Sequence, residues 1–471
     1  MFFGLNTAVR GLLASQRSLY ITNHNIDNAN TKGYSRQQGS QRASAPFELP
    51  GIGFLGTGTE IYDIKRVRDS FVDFKYWNEN APMGEWEVKK NTLTEIEKLM
   101  GEPSDSSFRK YLDDFYTSLD EMSKNPSDDS YRKPVRENAL AFTKHINETA
   151  IRLENMMKET EKSMDIKVKN INNLTAQIGN LNRQIYSAEI NGQHANDLRD
   201  RRELLVDELS KIVNVRVDES PEGKYTVSVS GISIVEHITV NKVKFDKNSE
   251  EKIFWENGSP VKLKSGELKG LIDLYNGDGK NNNYRGIPYY INKLNDFAKG
   301  FATKFNEQHR EGYGLDGTTN GIDFFKFDSD NPAATITLDN KIMEDLKNIA
   351  AASKSPGDDE DNENLLALIK LREDKEFFTG DDSQGTPDDF IKSILSSLAV
   401  DSLQSKRIYG TQELIQQNAE LKRKSISGVS EEEEMADMVR FQHVYVASAR
   451  MITTMDTIIE TTINRLGLVG R

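Results

Sequence analysis

Residues 430–471 read SEEEEMADMVRFQHVYVASARMITTMDTIIETTINRLGLVGR, and this stretch decides the fold. Apolar residues recur along it every seven residues, and a second apolar set fills most of the interleaved positions. The first set is Met438, Tyr445, Ile452, Ile459 and Leu466, and the second is Met435, Ala449 and Ile463. This spacing places both sets on one side of an α-helix, and it predicts a helix that packs lengthwise against another helix.

Signals at both ends define this helix. Ser430 followed by Glu433 is a capping box, and the acidic run 431–434 lies where the helix dipole is positive. Arg465 and Gly467 predict the end of the helix. A helix over this stretch is roughly 54 Å long. Because long isolated helices gain little stability in water, its apolar seam requires a packing partner.

The first thirty residues are the predicted partner. A second seven-residue repeat runs through Leu5, Leu12, Leu19 and Ile26, and Val9 supports it. Residues 1–42 carry a net positive charge and residues 430–471 a net negative charge, which favours their association. We therefore predict that the N- and C-terminal helices pair as a coiled coil.

Between the two ends the pattern is mostly helical. Residues 39–64 are glycine-rich and predict an extended, turn-rich segment, whereas residues 66–211 have helical periodicity. At Val213 the apolar period changes from 3.6 to 2, which predicts a small β lobe. Helices resume at Glu267, and residues 311–385 are irregular and acidic.

These patterns predict a mainly α fold with a smaller β portion. The protein is expected to be elongated and multidomain, with paired terminal coiled-coil helices, a discontinuous helical rod domain and an inserted β lobe. The predicted parts are a terminal helical pairing domain (1–64 and 430–471), a helical rod domain (65–211, 265–318 and 386–429), the β lobe (212–264) and an irregular acidic insertion (319–385).

Composition excludes several classes of function. The net charge of −13 leaves no basic stripe for a nucleic acid, and no apolar run is long enough to span a membrane. The absence of cysteine excludes disulfides and thiolate chemistry. Asn6, Thr7 and Arg10 interrupt the apolar start, so no cleaved signal peptide is expected.

Signatures of catalysis and metal binding are also missing from the sequence. The six histidines are scattered without metal-ligand spacing, and no nucleophile elbow or dinucleotide fingerprint occurs. The glycine-rich segment has no Gly-Lys-Ser/Thr after it, and the acidic run 358–361 lacks the spacing of an EF-hand. We therefore predict no catalytic residues, no cofactor and no metal, and a protein that is not an enzyme.

Both ends of the chain resemble a known group of proteins. Residues 25–37 (NIDNANTKGYSRQ) resemble the N-terminal signature of bacterial flagellar rod, hook and hook-associated proteins, and residues 427–450 resemble their C-terminal signature. The matching positions are Asn28, Asn30, Thr31, Gly33, Tyr34 and Arg36 in the first, and Phe441, Gln442 and Arg450 in the second. Either end by itself indicates only an axial protein of the flagellum.

The interior narrows the resemblance. The phrases GEPSDS (101–106), NPSD (125–128), NDLRDRRELL (196–205) and SGELKGL (265–271) are similar to those of the hook-associated protein 1 family. This family forms the first junction between hook and filament. The resemblance spans nearly the whole chain and is specific except in residues 319–385.

The resemblance implies a structural adaptor that joins hook to filament without catalysis. It implies export through the flagellar type III channel to an extracellular position at the hook tip. The implied partners are hook protein, the second hook–filament junction protein, further copies of this chain in a ring, and an export chaperone at the C-terminal helix. Nucleic acid and membrane are not expected as partners. The seam residues on the two terminal helices are then expected to carry assembly.

Two other functions fit the same pattern. The chain has the features of another axial flagellar protein of hook or rod type, or of a non-flagellar coiled-coil scaffold with amphipathic ends. A membrane-active scaffold is disfavoured, because the polar faces of the terminal helices carry few basic residues. The seams are also able to close on each other within one chain and leave other faces for neighbours.

The seam pattern predicts that both ends of the isolated monomer are labile. In dilute solution a protease should cleave within residues 1–40 and 430–471 before it cleaves the rod, because these apolar faces lack their neighbours. Limited proteolysis followed by mass spectrometry measures the order of cleavage. Full protection of both ends would contradict the prediction.

Overall fold

The structure, a computed structural model, describes residues 2–51, 53–100, 108–317, 319–354, 360–380 and 383–465. Its helices are α1 (Phe2–Asp27), α2 (Ser70–Met100), α3 (Phe108–Lys124), α4 (Asp129–Glu189), α5 (Asn196–Ile212), α6 (Glu267–Asn276), α7 (Ile287–Glu311), α8 (Pro332–Thr335), α9 (Asn340–Glu344), α10 (Glu363–Lys370), α11 (Pro387–Ser427) and α12 (Glu431–Arg465). Its strands are β1 (Gln37–Ala43), β2 (Phe47–Leu49), β3 (Gly53–Leu55), β4 (Thr59–Arg66), β5 (Val215–Glu219), β6 (Tyr225–Val229), β7 (Ile232–Glu236), β8 (Thr239–Val240), β9 (Val243–Phe245), β10 (Ile253–Trp255), β11 (Phe325–Lys326), β12 (Thr337–Leu338), β13 (Phe378–Gly380) and β14 (Ser383–Gly385).

The first and last helices pack along each other. A methyl group at Gly4 would come within 2.8 Å of Met455, and one at Gly11 within 3.2 Å of Ser448. Positions early in α1 therefore lie opposite positions late in α12, so the pair is antiparallel. The antiparallel hairpin of β1 and β4 covers another side of α1.

Helix α4 is the longest element of the rod. It spans 61 residues, which corresponds to about 90 Å at the rise of an α-helix. Ile146 and Leu153 lie in a first core with α3 and α7, whereas Ile171 and Ile178 lie in a second core with α5 and the β lobe. One continuous helix therefore connects both cores.

The β lobe packs on the second half of α4. Strands β5 to β8 form an antiparallel sheet in chain order, and β6 alternates between buried and half-buried residues. Tyr225, Val227 and Val229 are its buried residues and lie in the second core. Asn182 of α4 donates a side-chain hydrogen bond to the carbonyl of His237 (2.6 Å). The apolar period of 2 that begins at Val213 therefore reflects a sheet with one face buried.

Residues 319–385 are irregular in backbone but contribute to the first core. Phe324, Phe325 and Ile336 are fully buried there. The side-chain amide of Asn306 on α7 accepts from the backbone N–H groups of Phe324 and Phe325 (2.9 Å each) and donates to the carbonyl of Phe325 (2.7 Å). It thus satisfies backbone groups that a neighbouring strand would otherwise pair. The described part of this segment thus packs into the rod rather than standing apart as an insertion.

The fold class predicted from the sequence is confirmed: long helices dominate, with small sheets. Helix α12 begins at Glu431 as predicted and extends to Arg465, while Leu466 and Gly467 lie outside the described residues. None of the described helices has a stretch long and apolar enough to cross a bilayer.

His309 is buried at the end of α7, with an exposed fraction of 1%. Its ring contacts the carbonyl of Ile322 through Nδ1 (2.7 Å), and its Nε2 accepts from the backbone N–H of Ala350 (3.0 Å). These contacts require the neutral tautomer that carries its proton on Nδ1. Burial lowers the pKa of His309 to about 4, despite the opposing effects of the Ile322 carbonyl and Asp323.

This burial predicts a loss of stability in mild acid. The unfolded chain binds a proton at His309 near its ordinary pKa of 6.5, whereas the folded chain does so only near 4. The free energy of unfolding is therefore unaffected by the titration of His309 above pH 6.5. It decreases as the pH falls toward 4, by about 3 kcal/mol in total. Hydrogen exchange of rod amides across this range measures the loss.

The control variant is His309→Gln, which keeps a donor and an acceptor but does not titrate. Its rod should lose less stability between pH 6.5 and pH 4 than the wild-type rod. Equal pH dependence in the two proteins would contradict the assigned role of His309.

Candidate assembly interface

Helices α1 and α12 contact each other, and most of the predicted seam residues on both helices are half-buried. On α1, Leu5, Val9, Leu12, Leu19 and Ile26 are all half-buried. On α12, the half-buried members of the predicted seam are Met438, Tyr445, Ala449, Ile452 and Ile459. None of these residues is fully buried in the single chain.

Two predicted seam residues point away from this contact. Met435 and Ile463 have exposed fractions of 52% and 73%. Glu434, Phe441, Ser448 and Met455 are buried or half-buried instead. These residues also recur every seven positions, one residue before the interleaved set expected from the sequence. The part that Met435 and Ile463 take in assembly stays a prediction, and Leu466 lies outside the described residues.

Small residues on α1 explain the shift. Gly4 and Gly11 approach Met455 and Ser448 closely, and Asn25 contacts Glu434 farther along the same helix pair. These positions of α1 differ by seven or by a multiple of seven, so they form one line. Side chains without bulk allow the two backbones to approach each other there. The recurring glycines were the signal in the sequence that could have identified this line.

The other buried side of α1 faces the β1–β4 hairpin. Ala14 and Ile21 are buried on this side, and a methyl group at Gly39 would come within 2.9 Å of Ile21. Ser18 is buried on the line of Gly4 and Gly11, and the hairpin reaches it too. The side-chain amide of Gln41 donates to the hydroxyl of Ser18 (3.1 Å). Helix α1 is therefore enclosed on two sides, by the hairpin and by α12.

Helix α12 keeps apolar residues exposed in the single chain. Val444, Met451 and Ile458 recur every seven residues beside the buried line, and each is more than two-fifths exposed. Val439 and Val446 are exposed on another side. An amphipathic helix that leaves such residues in water has an uncovered face of the kind found at protein–protein contacts.

Asn25 organises the loop that follows α1. Its side-chain oxygen accepts from the Tyr34 hydroxyl (2.8 Å) and from the backbone N–H of Gln37 (2.9 Å). Its amide nitrogen donates to the carbonyl of Gln37 (2.9 Å) and to the carboxylate of Glu434 (3.1 Å). Asn25 is thus bonded to its own loop and to the opposite helix.

Glu434 is the acceptor that joins the two ends of the chain, and it is only 2% exposed. Arg36 donates to it through Nε (2.7 Å) and to the adjacent, exposed Glu433 through a terminal nitrogen (3.1 Å). The backbone N–H of Arg36 also donates to the carbonyl of Ser427 at the end of α11 (2.8 Å). The loop therefore contacts both helices at the α11–α12 joint.

A buried ionic cluster fastens the same loop to α5. Ser35 donates to Asp200 through its backbone N–H (2.9 Å) and its hydroxyl (2.8 Å). Arg66 forms two hydrogen bonds with Glu203 (2.8 and 2.9 Å), and Arg68 lies 2.8 Å from the same carboxylate. Burial opposes ionisation of Glu203, but Arg68 and Arg66 outweigh it and lower its pKa to about 2. For Asp200 burial prevails over Arg66 and raises the pKa.

Asp207 connects three rod helices. It accepts from Trp77 of α2 (2.6 Å) and from Arg423 of α11 (2.8 and 2.9 Å). Burial raises the pKa of Asp207 to about 6, although Arg423 and Trp77 oppose the change. The carboxylates and guanidinium groups of this region are thus paired with each other.

The remaining family-motif residues are distributed over two places. Thr31 donates to Asn28 (3.2 Å) in the loop, where Asn30 is exposed. Gly33 has a φ of +84° and lies against Leu204, so a side chain there would be strained. On α12, Phe441 lies at the helix pair, whereas Gln442 and Arg450 are exposed.

The described residues contain no cluster of three histidine, aspartate or glutamate side chains that could hold a metal ion. A cavity of about 970 Å³ lies between the 29–36 loop and the α11–α12 joint. Its charged lining includes Arg36, Arg68, Asp207 and Arg423, which are engaged in the ion pairs above. These ion pairs connect the loop, α5 and the α11–α12 joint.

Two family profiles match the chain. Residues 93–325 match the profile described as flagellar hook-associated protein FlgK helical domain. Residues 425–466 match the profile described as flagellar basal body rod FlgEFG protein C-terminal. The second match contains α12 and the joint that precedes it.

Curated relatives are similar over most of the chain. Flagellar hook-associated protein 1 of Bacillus subtilis is 30% identical, over 100% of this chain and 99% of the relative. The protein of the same name from Escherichia coli is 24% identical, over 98% of this chain and 99% of the relative. The one from Salmonella typhimurium is 28% identical, over 73% of this chain and 64% of the relative.

A solved structure shares the fold. The flagellar hook junction protein FlgK from Burkholderia pseudomallei superposes with a TM-score of 0.62, at 13% sequence identity. The match covers 75% of this chain and 100% of the solved chain.

The buried Glu434 predicts a local loss of stability when its carboxylate is removed. Glu434→Ala removes the acceptor of one N–H donor on buried Asn25 and of Nε on half-buried Arg36, which should cost about 2 kcal/mol. The loss should appear as faster hydrogen exchange in residues 431–445 and in the 28–36 loop. Glu433→Ala is the matched control, because its exposed pair with the same arginine is worth under about 1 kcal/mol. Equal effects of the two substitutions would refute the assignment.

Proposed function

The chain belongs to the flagellar hook-associated protein 1 family, and we propose that it joins the flagellar hook to the filament as a structural adaptor. Proteins of this family are structural components of the flagellum and not enzymes. The flagellum is therefore the location of this chain, and other axial proteins of the flagellum are its class of partner.

The uncovered face of α12 is the observation that carries the proposal. Val444, Met451 and Ile458 stay exposed after α1 has covered the neighbouring line of the helix. Apolar surface of this kind is stabilised when a neighbouring helix excludes water from it. The terminal helix pair then serves two contacts: one within the chain and one with adjacent subunits.

The individual partners belong to the same proposal. We infer contacts with hook protein on one side and with the second junction protein on the other, and a ring of identical subunits between them. The α12 helix is the proposed segment for an export chaperone, since an amphipathic helix that has not yet assembled requires a cover. Export through the flagellar type III channel would bring the chain to the hook tip outside the cell.

Deletion of the gene tests the adaptor role directly. Cells without the protein should build hooks of normal length but carry no filaments, and the unassembled filament protein should appear in the medium. Electron microscopy of the cells and analysis of the culture fluid measure both. Normal filaments on the mutant cells would overturn the proposal.

A charge on the pairing face should block assembly without unfolding the rod. Ile452 is half-buried on the side of α12 that faces α1. Ile452→Asp places a carboxylate in this apolar contact, so incorporation at the hook tip should fall by about tenfold or more. Immunolabelling of isolated hooks measures incorporation, and circular dichroism verifies that the rod remains folded.

Thr457→Asp is the matched control. Thr457 is exposed on another side of α12, and its hydroxyl donates only to the carbonyl of Thr453 in the same helix (2.9 Å). The same added charge should therefore leave incorporation nearly unchanged. Normal motility of cells that carry Ile452→Asp would contradict the role of the seam.

A further inference from the structure

The tip of the β1–β4 hairpin carries exposed apolar residues. Strands β2 and β3 extend the hairpin, and Phe54 and Leu55 on β3 are 74% and 39% exposed. Glu48 pairs directly with Phe54 across the two strands, so their side chains share one face. The tip thus presents an aromatic ring beside a single carboxylate.

A groove on the rod helices has complementary chemistry. It lies between the beginning of α2 and the end of α11 and has a volume of about 510 Å³. Val72 and Ala419 are its buried residues, while Ile415 and Ile426 are half-buried and Phe71 is 70% exposed. An apolar groove of this size is large enough for an aromatic side chain.

The edge of the groove is basic. Lys75 and Lys422 line it, and neither ammonium group forms an ion pair with another residue that the structure describes. Asp69 also lines the groove, and its carboxylate accepts from the backbone N–H of Phe71 (2.9 Å). The two lysines are complementary in charge to Glu48 on the hairpin tip.

Hairpin tip and groove are too far apart to meet within one chain. The hairpin runs along α1 toward its first turns, where Gly58 lies against Thr7. The groove is lined by Ile426, next to Ser427, whose carbonyl accepts from the backbone N–H of Arg36. Arg36 and Asn25, at the other end of α1, both donate to Glu434. Thr7 and Asn25 are separated by about 27 Å along the helix. The hairpin tip and the groove of one chain are therefore separated by most of the length of the helix pair.

We propose that the hairpin tip of one copy of this chain inserts into the α2–α11 groove of a neighbouring copy. Such a contact joins two different surfaces of identical subunits, so it repeats from copy to copy around a ring or along a helix. Phe54 enters the apolar groove, and Glu48 approaches Lys75 and Lys422. This inference rests on the proposed function, because it requires copies that lie side by side at the hook tip.

Engineered cysteines test the contact in assembled hooks. The natural chain has no cysteine, so Phe54→Cys combined with Asn418→Cys introduces one thiol at the tip and one at the groove. Both positions are exposed, and folding should be preserved. A short bis-maleimide reagent applied to isolated hooks should produce a ladder of dimers, trimers and larger multiples of this chain.

The control pair is Tyr62→Cys with Asn418→Cys. Tyr62 is also exposed but lies on β4, away from the tip. The control pair should give at least about fivefold less crosslinked product than the test pair, since crosslinking requires the two thiols to be close. Equal ladders from the two pairs, no ladder, or a crosslink to a protein of different mass would each overturn the inference.

A charge exchange provides an independent readout. Glu48→Lys should lower incorporation at the hook tip by about threefold, and Lys75→Glu with Lys422→Glu should do the same. The combined variant should recover incorporation, because the opposite charges again face each other. Failure of the combined variant to recover would contradict direct contact between these groups.

Immunogold labelling of the parent protein separates the two proposals. Label absent from the hook tip overturns the proposed function, and the inference falls with it. Label present at the hook tip together with a ladder no stronger than that of the control pair overturns only the hairpin–groove contact.

Discussion

The buried carboxylate of Glu434 is the contact on which the arrangement of the chain ends depends. It accepts from Asn25 near the end of α1 and from Arg36 in the following loop. A buried carboxylate without donors is costly, so both donors must stay in place while the helices are paired. Asn25 also bonds Tyr34 and Gln37, so the acceptor on the last helix is connected through Asn25 to the loop after the first helix.

The loop after α1 connects the terminal helix pair to the rod. Ser35 is bonded to Asp200 on α5, and Arg66 at the end of the hairpin is bonded to Asp200 and Glu203. Helix α4 packs against α5 and continues through both cores of the rod. A connected series of buried contacts therefore runs from the paired termini to the far end of the molecule. Such a connection suits a structural subunit that links two assemblies.

Local patterns predicted much of this fold correctly. The change from a period of 3.6 to one of 2 located the β lobe, and the capping box placed the start of α12 at Glu431. The apolar pattern did not indicate that Glu434, which precedes Met435, is buried among its hydrogen-bond donors. Phe324 and Phe325 also joined a core that their loop-like surroundings did not indicate.

The sequence by itself determined that both ends are amphipathic helices, that a β lobe interrupts a helical body and which family the chain resembles. These properties depend on neighbouring residues, on their spacing and on short motifs. The tertiary structure alone decided that the helices run antiparallel, that Gly4 and Gly11 lie on their line of closest approach and that Glu434 is buried. Those choices depend on residues more than four hundred positions apart, whose donors, acceptors and volumes match only once the chain has folded.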